Sequence, residues 1–434
     1  MIVPTSLAAQ VEGAIRARRH PALPDEFVLP HYEGFSLANL GPTVAGVLGG
    51  DVPGGVPLPR EVWADLAPGV RRVVLVLLDA VGYDRFQTTL DDESLVFRHL
   101  ADGGRLIPVT SLFPSTTTAT LTSLWTGRTP VEHGLIGYVL FLREFGVTTD
   151  MIRLIPRGRD KSGPGRDTLL DWGLKPDGFL PVPGLAESLA AHGIVTRSVL
   201  RQEYVGSFLS QMHYRGVAEV KGHLDSPDMW VCLREMLQAH RDERLYLTAY
   251  WGEVDTISHD RGPHSPHWDA ALRNLAYSLE REFLRPLTPA DREGTLLIIT
   301  ADHGQIVTPL ARTVYLKQHP ALEEALVMSP TGEPRVPFLH VRPGRVEFVK
   351  SYFAEHLAHA FVVLEAETVL NSGLLGRGPM MPAVPHRLGD LVAIARQDWI
   401  LYDRPKEPDM IGRHGGLSPQ EMLSPLLMVR LDAL

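Results

Sequence analysis

Residues 295–304, Thr-Leu-Leu-Ile-Ile-Thr-Ala-Asp-His-Gly, decide the fold: an apolar, β-branched run ends abruptly in a carboxylate and an imidazole, Asp302 and His303. Such a run predicts a strand buried on both faces. In open α/β sheets, ligands collect beyond the carboxyl ends of strands. Packing explains an Asp there poorly, because a charged carboxylate is rarely buried without a partner. The same construction recurs. Arg71-Arg72-Val73-Val74-Leu75-Val76-Leu77-Leu78-Asp79 is a second apolar run ending in a carboxylate. Leu245-Tyr246-Leu247-Thr248-Ala249-Tyr250-Trp251 is a third, leading into Gly252-Glu253-Val254-Asp255.

Around these strands the chain predicts an α/β protein. Its 434 residues suffice for one large domain with insertions, or for two or three domains. An amphipathic helix is expected around 5–18, followed by a Pro- and Gly-rich segment including Gly49-Gly50-Asp51-Val52-Pro53-Gly54-Gly55. Residues 116–126 predict a helix behind the Asp79 strand, held by tertiary context because its threonines are poor helix formers. Helix–strand alternation resumes at about 184–200, and 426–431 is an apolar C-terminal strand. We assign residues 1–305 and 411–434 to a catalytic core, with an irregular insert at about 139–190 that includes an exposed loop at 157–165. Residues 306–410 break the rhythm and predict a smaller inserted α+β cap unit, with a strand near 337–342, a helix over about 346–360 and a strand at 361–364. There is no internal repeat and no low-complexity tract.

Composition narrows the function classes. With 44% hydrophobic and 21% charged residues the chain is ordinary for a soluble globular protein. A formal net charge of −9 argues against a protein that coats nucleic acid. An anionic small substrate stays open, since bound metal ions can reverse the local charge. The single cysteine, Cys232, excludes an internal disulfide and a thiolate zinc cluster, and we take it as a small packing residue. The N-terminal residues lack a basic region followed by an apolar one, and no stretch approaches the roughly 20 apolar residues that span a bilayer. We therefore expect a cytoplasmic protein with no membrane association.

The strand ends supply metal-type ligands: Asp79, Asp255, and the pair Asp302 and His303. His259 follows Asp255 by four residues, so on a helix both lie on one face and reach one ion. His414, in a Gly-flanked turn, is a candidate from far along the chain. Three Asp and three His are enough for two ions, and a mixed set suits Zn²⁺ or Mn²⁺ better than Ca²⁺ or Mg²⁺. Each element alone has an ordinary alternative: Asp79 as a cap, the Asp255/His259 spacing as chance, His414-Gly415-Gly416 as a turn. Their joint placement at strand ends carries the metal reading.

A second constellation runs from Thr110 to Gly127. Pro114 and Ser115 are helix-start signals, with Ser115 as the expected N-cap. Ser115, Thr116, Thr117 and Thr118 place hydroxyls beside unpaired backbone N–H groups and the positive end of the helix dipole, an arrangement that binds a phosphate oxygen. A Thr hydroxyl becomes a competent nucleophile when a metal lowers its pKa.

Taken in order, Leu77-Leu78-Asp79, Phe113-Pro114-Ser115-Thr116-Thr117-Thr118 through Trp125-Thr126-Gly127, Glu132-His133-Gly134, Asp255 with His259, Asp302-His303-Gly304 and His414-Gly415-Gly416 resemble the alkaline phosphatase superfamily, and within it the type I phosphodiesterase/nucleotide pyrophosphatase family. The resemblance implies a mostly parallel central sheet between helical layers. It implies two divalent metal ions, usually zinc, with manganese as the alternative. One would be held by Asp255, His259 and His414, the other by Asp79, Asp302 and His303, with the nucleophilic hydroxyl between them. Family members place that hydroxyl ten residues before the Gly of the Thr-Gly pair, which here is Thr117, with Thr116 in reserve and as a possible substrate contact. The implied reaction is hydrolysis of a phosphodiester or nucleotide pyrophosphate bond in a small phosphorylated substrate through a phosphothreonine. The sequence departs from the nucleotide-handling members at Tyr138, near which they carry an Asn that holds a phosphate oxygen, and the phosphate-binding Arg of the monoesterases has no counterpart. Tyr138 is a candidate pocket hydroxyl, and His133 a structural residue. A phosphomonoesterase or a phosphonoacetate-type phosphonate hydrolase on the same site is the alternative, and a non-catalytic binding protein of the same fold ranks below both. A sulfatase would need a Cys/Ser-x-Pro-x-Arg context that Cys232 lacks, and a cofactor-independent phosphoglycerate mutase a different motif around a Ser. Sequence leaves the oligomeric state open.

Overall fold

The computed structural model describes residues 6–157, 166–403 and 409–434. Most of the expected loop 157–165 lies outside the described residues, as does the first residue of the expected helix 5–18, whose observed span is Leu7–Arg16.

The centre is a sheet of seven strands. In chain order these are β1 (Arg72–Leu78), β2 (Arg105–Thr110), β3 (Val195–Arg201), β4 (Glu219–His223), β5 (Leu245–Trp251), β6 (Thr295–Thr300) and β7 (Leu423–Arg430). Their spatial order is β2-β7-β6-β1-β5-β3-β4. β1 runs parallel to β5 and β6, and β3 runs parallel to β5 and β4. β7 inserts antiparallel between β6 and β2. Every residue of β1 is buried, and they alternate between two cores. Val73, Leu75 and Leu77 join one; Val74, Val76 and Leu78 join the other. A strand covered on both faces has no polar side to show, which is why β1, β5 and β6 appear in the sequence as unbroken apolar runs.

Helices cover the two faces. On one lies α1 (Thr117–Thr126), burying Leu124 and Trp125 and ending at Gly127 in the left-handed region, φ 66°. On the other lie α2 (Ser226–Ala239) and, beyond the short α3 (Glu253–Arg261), α4 (Pro266–Ser278). Met229, Trp230 and Leu233 of α2 and Trp268 and Leu272 of α4 fill the second core, each large apolar side chain contributing about 1.5–3 kcal/mol on burial. The α/β class with a mostly parallel central sheet between helical layers is thus the observed one.

A second seven-stranded sheet, antiparallel throughout, joins two distant parts of the chain. Its order is Phe361–Glu365, Leu391–Ala395, Val336–Leu339, Thr331–Glu333, Val139–Leu142, Val147–Asp150 and Ile155–Pro156. The segment after 139 is therefore not irregular throughout. It opens with a hairpin that turns at Gly146, φ 65°, whose strands of four residues are too short for an apolar run to announce. The seam between the parts is the pairing of Gly332 with Val139. One face of this sheet, with Leu140, Phe338, Val392 and Ile394, continues the first core of the central sheet. The other, with Leu339, Leu391 and Ala393, closes a third core. Within 306–410 the expected strand near 337–342 is Val336–Leu339, and the helix expected to 360 runs Val346–Tyr352 before widening over Phe353–Leu357. Among the described residues no helix is long and apolar enough to cross a membrane.

Candidate two-metal site

Three strands of the central sheet end at one place. Asp79 follows β1 directly, and the next residue, Ala80, adopts a left-handed φ of 63°. This costs a non-glycine residue of order 1 kcal/mol. It aims the Ala80 N–H at Asp302 Oδ1, 3.0 Å away. Asp302 and His303 follow β6. After β5, α3 carries Asp255 and His259 one turn apart on one face. His414 arrives from the two-residue strand Gly412–Arg413, which pairs with Ile306–Val307.

These six side chains form two clusters whose ligand-type atoms lie within 4.8 Å of one another: Asp79, Asp302 and His303, all buried, and Asp255, His259 and His414, all half-buried. In the first, His303 Nε2 is 3.6 Å from Asp79 Oδ1 and 3.4 Å from Asp302 Oδ2. In the second, Asp255 Oδ1 is 3.3 Å from His259 Nε2 and 3.9 Å from His414 Nε2. A tetrahedral ion with bonds of about 2.0–2.1 Å needs ligand atoms roughly 3.3–3.5 Å apart; the Asp302–His303 and Asp255–His259 separations meet this, and those of Asp79–His303 and Asp255–His414 are slightly wider. The rings of His303 and His414 stack at 3.9 Å and join the clusters into one site.

Two features favour cations here, the first in the buried cluster and the second in both. Asp79 Oδ1 and Asp302 Oδ2 are buried without a hydrogen-bond partner. Burial, then the charges of Asp302 and Asp255, push the Asp79 carboxyl well above its usual range. A positive ion would satisfy both oxygens and remove the repulsion. The histidines are arranged to match. His259 Nδ1 donates to the Gly412 carbonyl at 2.8 Å, His303 Nδ1 to Gly304 at 3.1 Å and His414 Nδ1 to Ser115 at 3.1 Å. Each bond places the proton on Nδ1 and leaves a lone pair on Nε2, the usual outer-sphere support of a ligating imidazole. Burial, then the neighbouring His303 and His259, hold the His414 pKa well below its usual value, so the ring is neutral.

The threonine turn meets this site. Thr116, not Ser115, is the N-cap residue of α1. The Ser115 hydroxyl donates instead to the Gly416 carbonyl at 2.8 Å and accepts from the Gly415 N–H, pinning the turn to the loop that carries His414. The local helix-start signal was real but was displaced by one residue through this long-range contact. Thr117 is the first residue of α1, and its Oγ1 lies 3.1 Å from His303 Nε2. The Thr116 hydroxyl donates to Glu333 Oε1 at 2.6 Å and so is engaged away from both clusters. The Tyr138 hydroxyl donates to Asp150, and its backbone N–H to Glu333 Oε1 at 3.0 Å. His133 is buried behind α1, with Nε2 3.0 Å from the Ser123 hydroxyl. Cys232 is buried on α2.

Sequence reasoning missed three residues. Gln305 donates from Nε2 to Asp255 Oδ1, and Tyr250, the penultimate residue of β5, donates its hydroxyl to Asp79 Oδ2. Gln305 directly follows Asp302-His303-Gly304 and Tyr250 sits inside the apolar run of β5, where a buried polar group is the available signal. Glu333 comes from the second sheet and has no such signal.

A family model described as type I phosphodiesterase / nucleotide pyrophosphatase matches residues 73–417. No curated protein matches the chain. Among solved structures, murine ectonucleotide pyrophosphatase / phosphodiesterase 5 superposes with a TM-score of 0.62 at 16% identity, over 82% of this chain and 87% of that one. An inactive threonine-to-alanine variant of the same murine protein, in complex with AMP, gives 0.61 at 17% over the same shares, 82% and 87%. Phosphonoacetate hydrolase from Sinorhizobium meliloti 1021, in complex with phosphonoformate, gives 0.59 at 16%, over 84% of this chain and 94% of that one. At these identities the structural likeness establishes the shared fold.

Proposed function

The chain belongs to the type I phosphodiesterase / nucleotide pyrophosphatase family of hydrolases, and from this we propose that it cleaves phosphodiester or nucleotide pyrophosphate bonds of a small phosphorylated substrate, with Thr117 as nucleophile beside two divalent ions, zinc or else manganese. The observation that carries the reading is the Thr117 hydroxyl, 3.1 Å from His303 Nε2 at the N-terminus of α1, where the two clusters meet. Asp255, His259 and His414 would hold one ion and Asp79, Asp302 and His303 the other. Bound there, the ions would supply the positive charge that lowers the pKa of a coordinated hydroxyl and stabilises the transferring phosphoryl oxygens.

The chain's own groups do the rest. Thr117 Oγ attacks phosphorus in line, the alcohol or nucleotide leaves, and a phosphothreonine forms. Water then attacks the same phosphorus from the opposite side and restores the hydroxyl. First-turn N–H groups of α1 face the phosphoryl oxygens with the positive end of the helix dipole. Tyr250 and Gln305 orient Asp79 and Asp255. An inactive threonine variant of a structural neighbour, holding AMP, is consistent with a threonine in this role. We place the enzyme in the cytoplasm, since one cysteine forbids the internal disulfides common in exported proteins.

The test is Thr117→Ala on zinc-loaded protein with bis(p-nitrophenyl) phosphate. Turnover should fall at least about 10³-fold, and the unaltered protein should yield phosphothreonine on rapid acid quench. Undiminished turnover would refute the assignment. A phosphomonoester or phosphonate hydrolase is the second reading, favoured by Tyr138, whose hydroxyl is engaged with Asp150 where nucleotide-handling members carry Asn. Faster hydrolysis of p-nitrophenyl phosphate than of the diester would decide for it.

A further inference from the structure

The hairpin Thr331-Gly332-Glu333-Pro334-Arg335-Val336 enters the catalytic face from the second sheet. Gly-Glu-Pro-Arg has the composition of a solvent-exposed turn, yet Glu333 is 6% exposed and Arg335 0%. Their partners are what set them apart. Glu333 Oε1 accepts from the hydroxyl of Thr116, the residue before Thr117, at 2.6 Å, and from the Tyr138 N–H at 3.0 Å. Its stem is pressed on Gly415, where an added Cβ would lie 2.8 Å from Glu333 Cβ.

Arg335 reaches a different segment. Its guanidinium grips Glu421 through two bonds, Nε to Oε1 at 3.0 Å and Nη2 to Oε2 at 2.7 Å. Glu421 Oε1 accepts from the Gly416 N–H at 2.8 Å, two residues after His414, and the Glu421 carbonyl accepts from the Gly304 N–H at 3.0 Å, next to His303. Two side chains two residues apart thus close on different segments of the site, Glu333 on the threonine turn and Arg335 on the loops that carry the histidines. We propose that the hairpin tip is its positioning element: Glu333 sets the turn that presents Thr117, and Arg335, through Glu421, sets the loops that present His414 and His303. The inference rests on the functional reading above for the roles of those residues. Burial holds the Glu333 carboxyl up to about 8, a cost that mere hairpin closure does not call for.

Four variants of the full chain test it: Glu333→Gln, Glu333→Ala, Arg335→Met, and the double variant Arg335→Met with Glu421→Gln, which leaves no unpaired buried charge should the single variant fail to fold. Each is measured for zinc stoichiometry and affinity, for kcat and KM with bis(p-nitrophenyl) phosphate, and for hydrogen exchange over 111–122 and 412–422. Glu333→Gln keeps the acceptor and should stay within about 3-fold of the unaltered kcat. Glu333→Ala should lower kcat by roughly 30- to 100-fold, the scale of a 1 Å misplacement, with KM within about 3-fold, both ions retained and exchange quickened mainly in 111–122, with a smaller rise near Gly415, on which the Glu333 stem rests. The Arg335 variants should weaken both zincs by roughly 10- to 100-fold and speed exchange in 412–422. A Glu333→Ala enzyme with kcat within about 3-fold, or variants that loosen both segments alike, would overturn the proposal. Should the unaltered protein turn over no substrate, the functional reading fails, and exchange still decides: segment-selective loosening upholds positioning, while uniform or absent loosening ends it.

Discussion

Two groups of histidines flank helix α1, and they differ in which nitrogen carries the proton. At its N-terminal end, His259, His303 and His414 donate from Nδ1 to backbone carbonyls and keep an acceptor lone pair on Nε2, which in His303 faces the Thr117 hydroxyl. Behind it, His133 accepts the Leu135 N–H on Nδ1, so its Nε2–H donates to the Ser123 hydroxyl. His213 does the same toward Thr122, whose own hydroxyl proton is committed to the Thr118 carbonyl. His303 in the front group is as fully buried as His133 behind the helix, so burial alone does not separate a ligand histidine from a core histidine. The tautomer does. An Nε2 lone pair aimed at carboxylates is available to bind a cation; an Nε2–H on a hydroxyl is a finished hydrogen bond.

The largest contrast should come from removing one histidine of each kind. His303→Ala should lose one zinc and more than about 100-fold of turnover. His133→Ala should keep both ions, and cost about 1–3 kcal/mol of stability by leaving the Leu135 N–H and Ser123 hydroxyl without their partner. Stoichiometry, turnover and urea unfolding on the same samples check this. Loss of metal from the His133 variant would erase the distinction.

A second contrast lies in the sign of one substitution. In metal-free protein Asp79 and Asp302 repel each other inside the sheet end, and burial with that repulsion raises the Asp79 pKa. Asp302→Asn should therefore stabilise the chelated protein by about 1–3 kcal/mol. The same change should destabilise the zinc-saturated protein, because binding adds stability only to a folded state that can bind. Unfolding in chelator and in zinc gives the two values; equal signs would mean the carboxylates do not face a cation.

What the sequence revealed follows the same line between local and long-range causes. β1, β5 and β6 were legible because strands buried on both faces must be apolar throughout, and Asp79, Asp255 and Asp302 stood out where those runs stop. His414 was legible through its Gly-flanked turn and its order in the motif set. β2 and β4 were not, since Arg105–Thr110 and Glu219–His223 mix polar residues into edge strands. The hairpin after 139 was hidden by its short strands. Gly332-Glu333-Pro334-Arg335 has the composition of a solvated turn, and the pairing of Gly332 with Val139 across nearly two hundred positions brings it inside. Gln305 lay two residues from His303, but nothing local shows that Asp255 is its partner.

The rear histidines make stability pH-dependent with a defined sign. Burial, then Arg215, lowers the His213 pKa to about 3, and burial, then His213 and Arg387, lowers that of His133. In the unfolded chain both titrate near 6.5. Below that pH the unfolded state takes up protons that the folded state refuses, so stability falls as pH drops below about 6.5, for His213 down to about 3, by up to about 1.4 kcal/mol per pH unit for each ring. Asp79 in metal-free protein acts oppositely, losing stability as pH rises above the usual carboxylate range. The His213 share is isolated by comparing the chelated parent with His213→Gln between pH 7 and 5: the parent should lose about 1–2 kcal/mol more than the variant. Equal slopes would show that His213 is protonated in the folded state and does not belong with His133.

The smallest expected effect tests how much a ligand cluster owes to support beyond its own three side chains. Gln305 is 3% exposed, and its amide donates to both the Oδ1 and the carbonyl of Asp255. Asp79 is oriented by Tyr250 in the other cluster, where burial of every ligand already restricts movement. The half-buried cluster has less surrounding packing to do that work, so it should depend more on the amide. Gln305→Ala should weaken one zinc by roughly 10-fold, the low end for an outer-sphere partner, and leave the second unchanged. Gln305→Glu should weaken the same ion and lower its on-rate in apo protein less than its residence time, since the added carboxylate displaces Asp255 without repelling the cation. Two zinc affinities that fall together would mean the clusters are one cooperative unit, and the separation drawn from their burial would not hold.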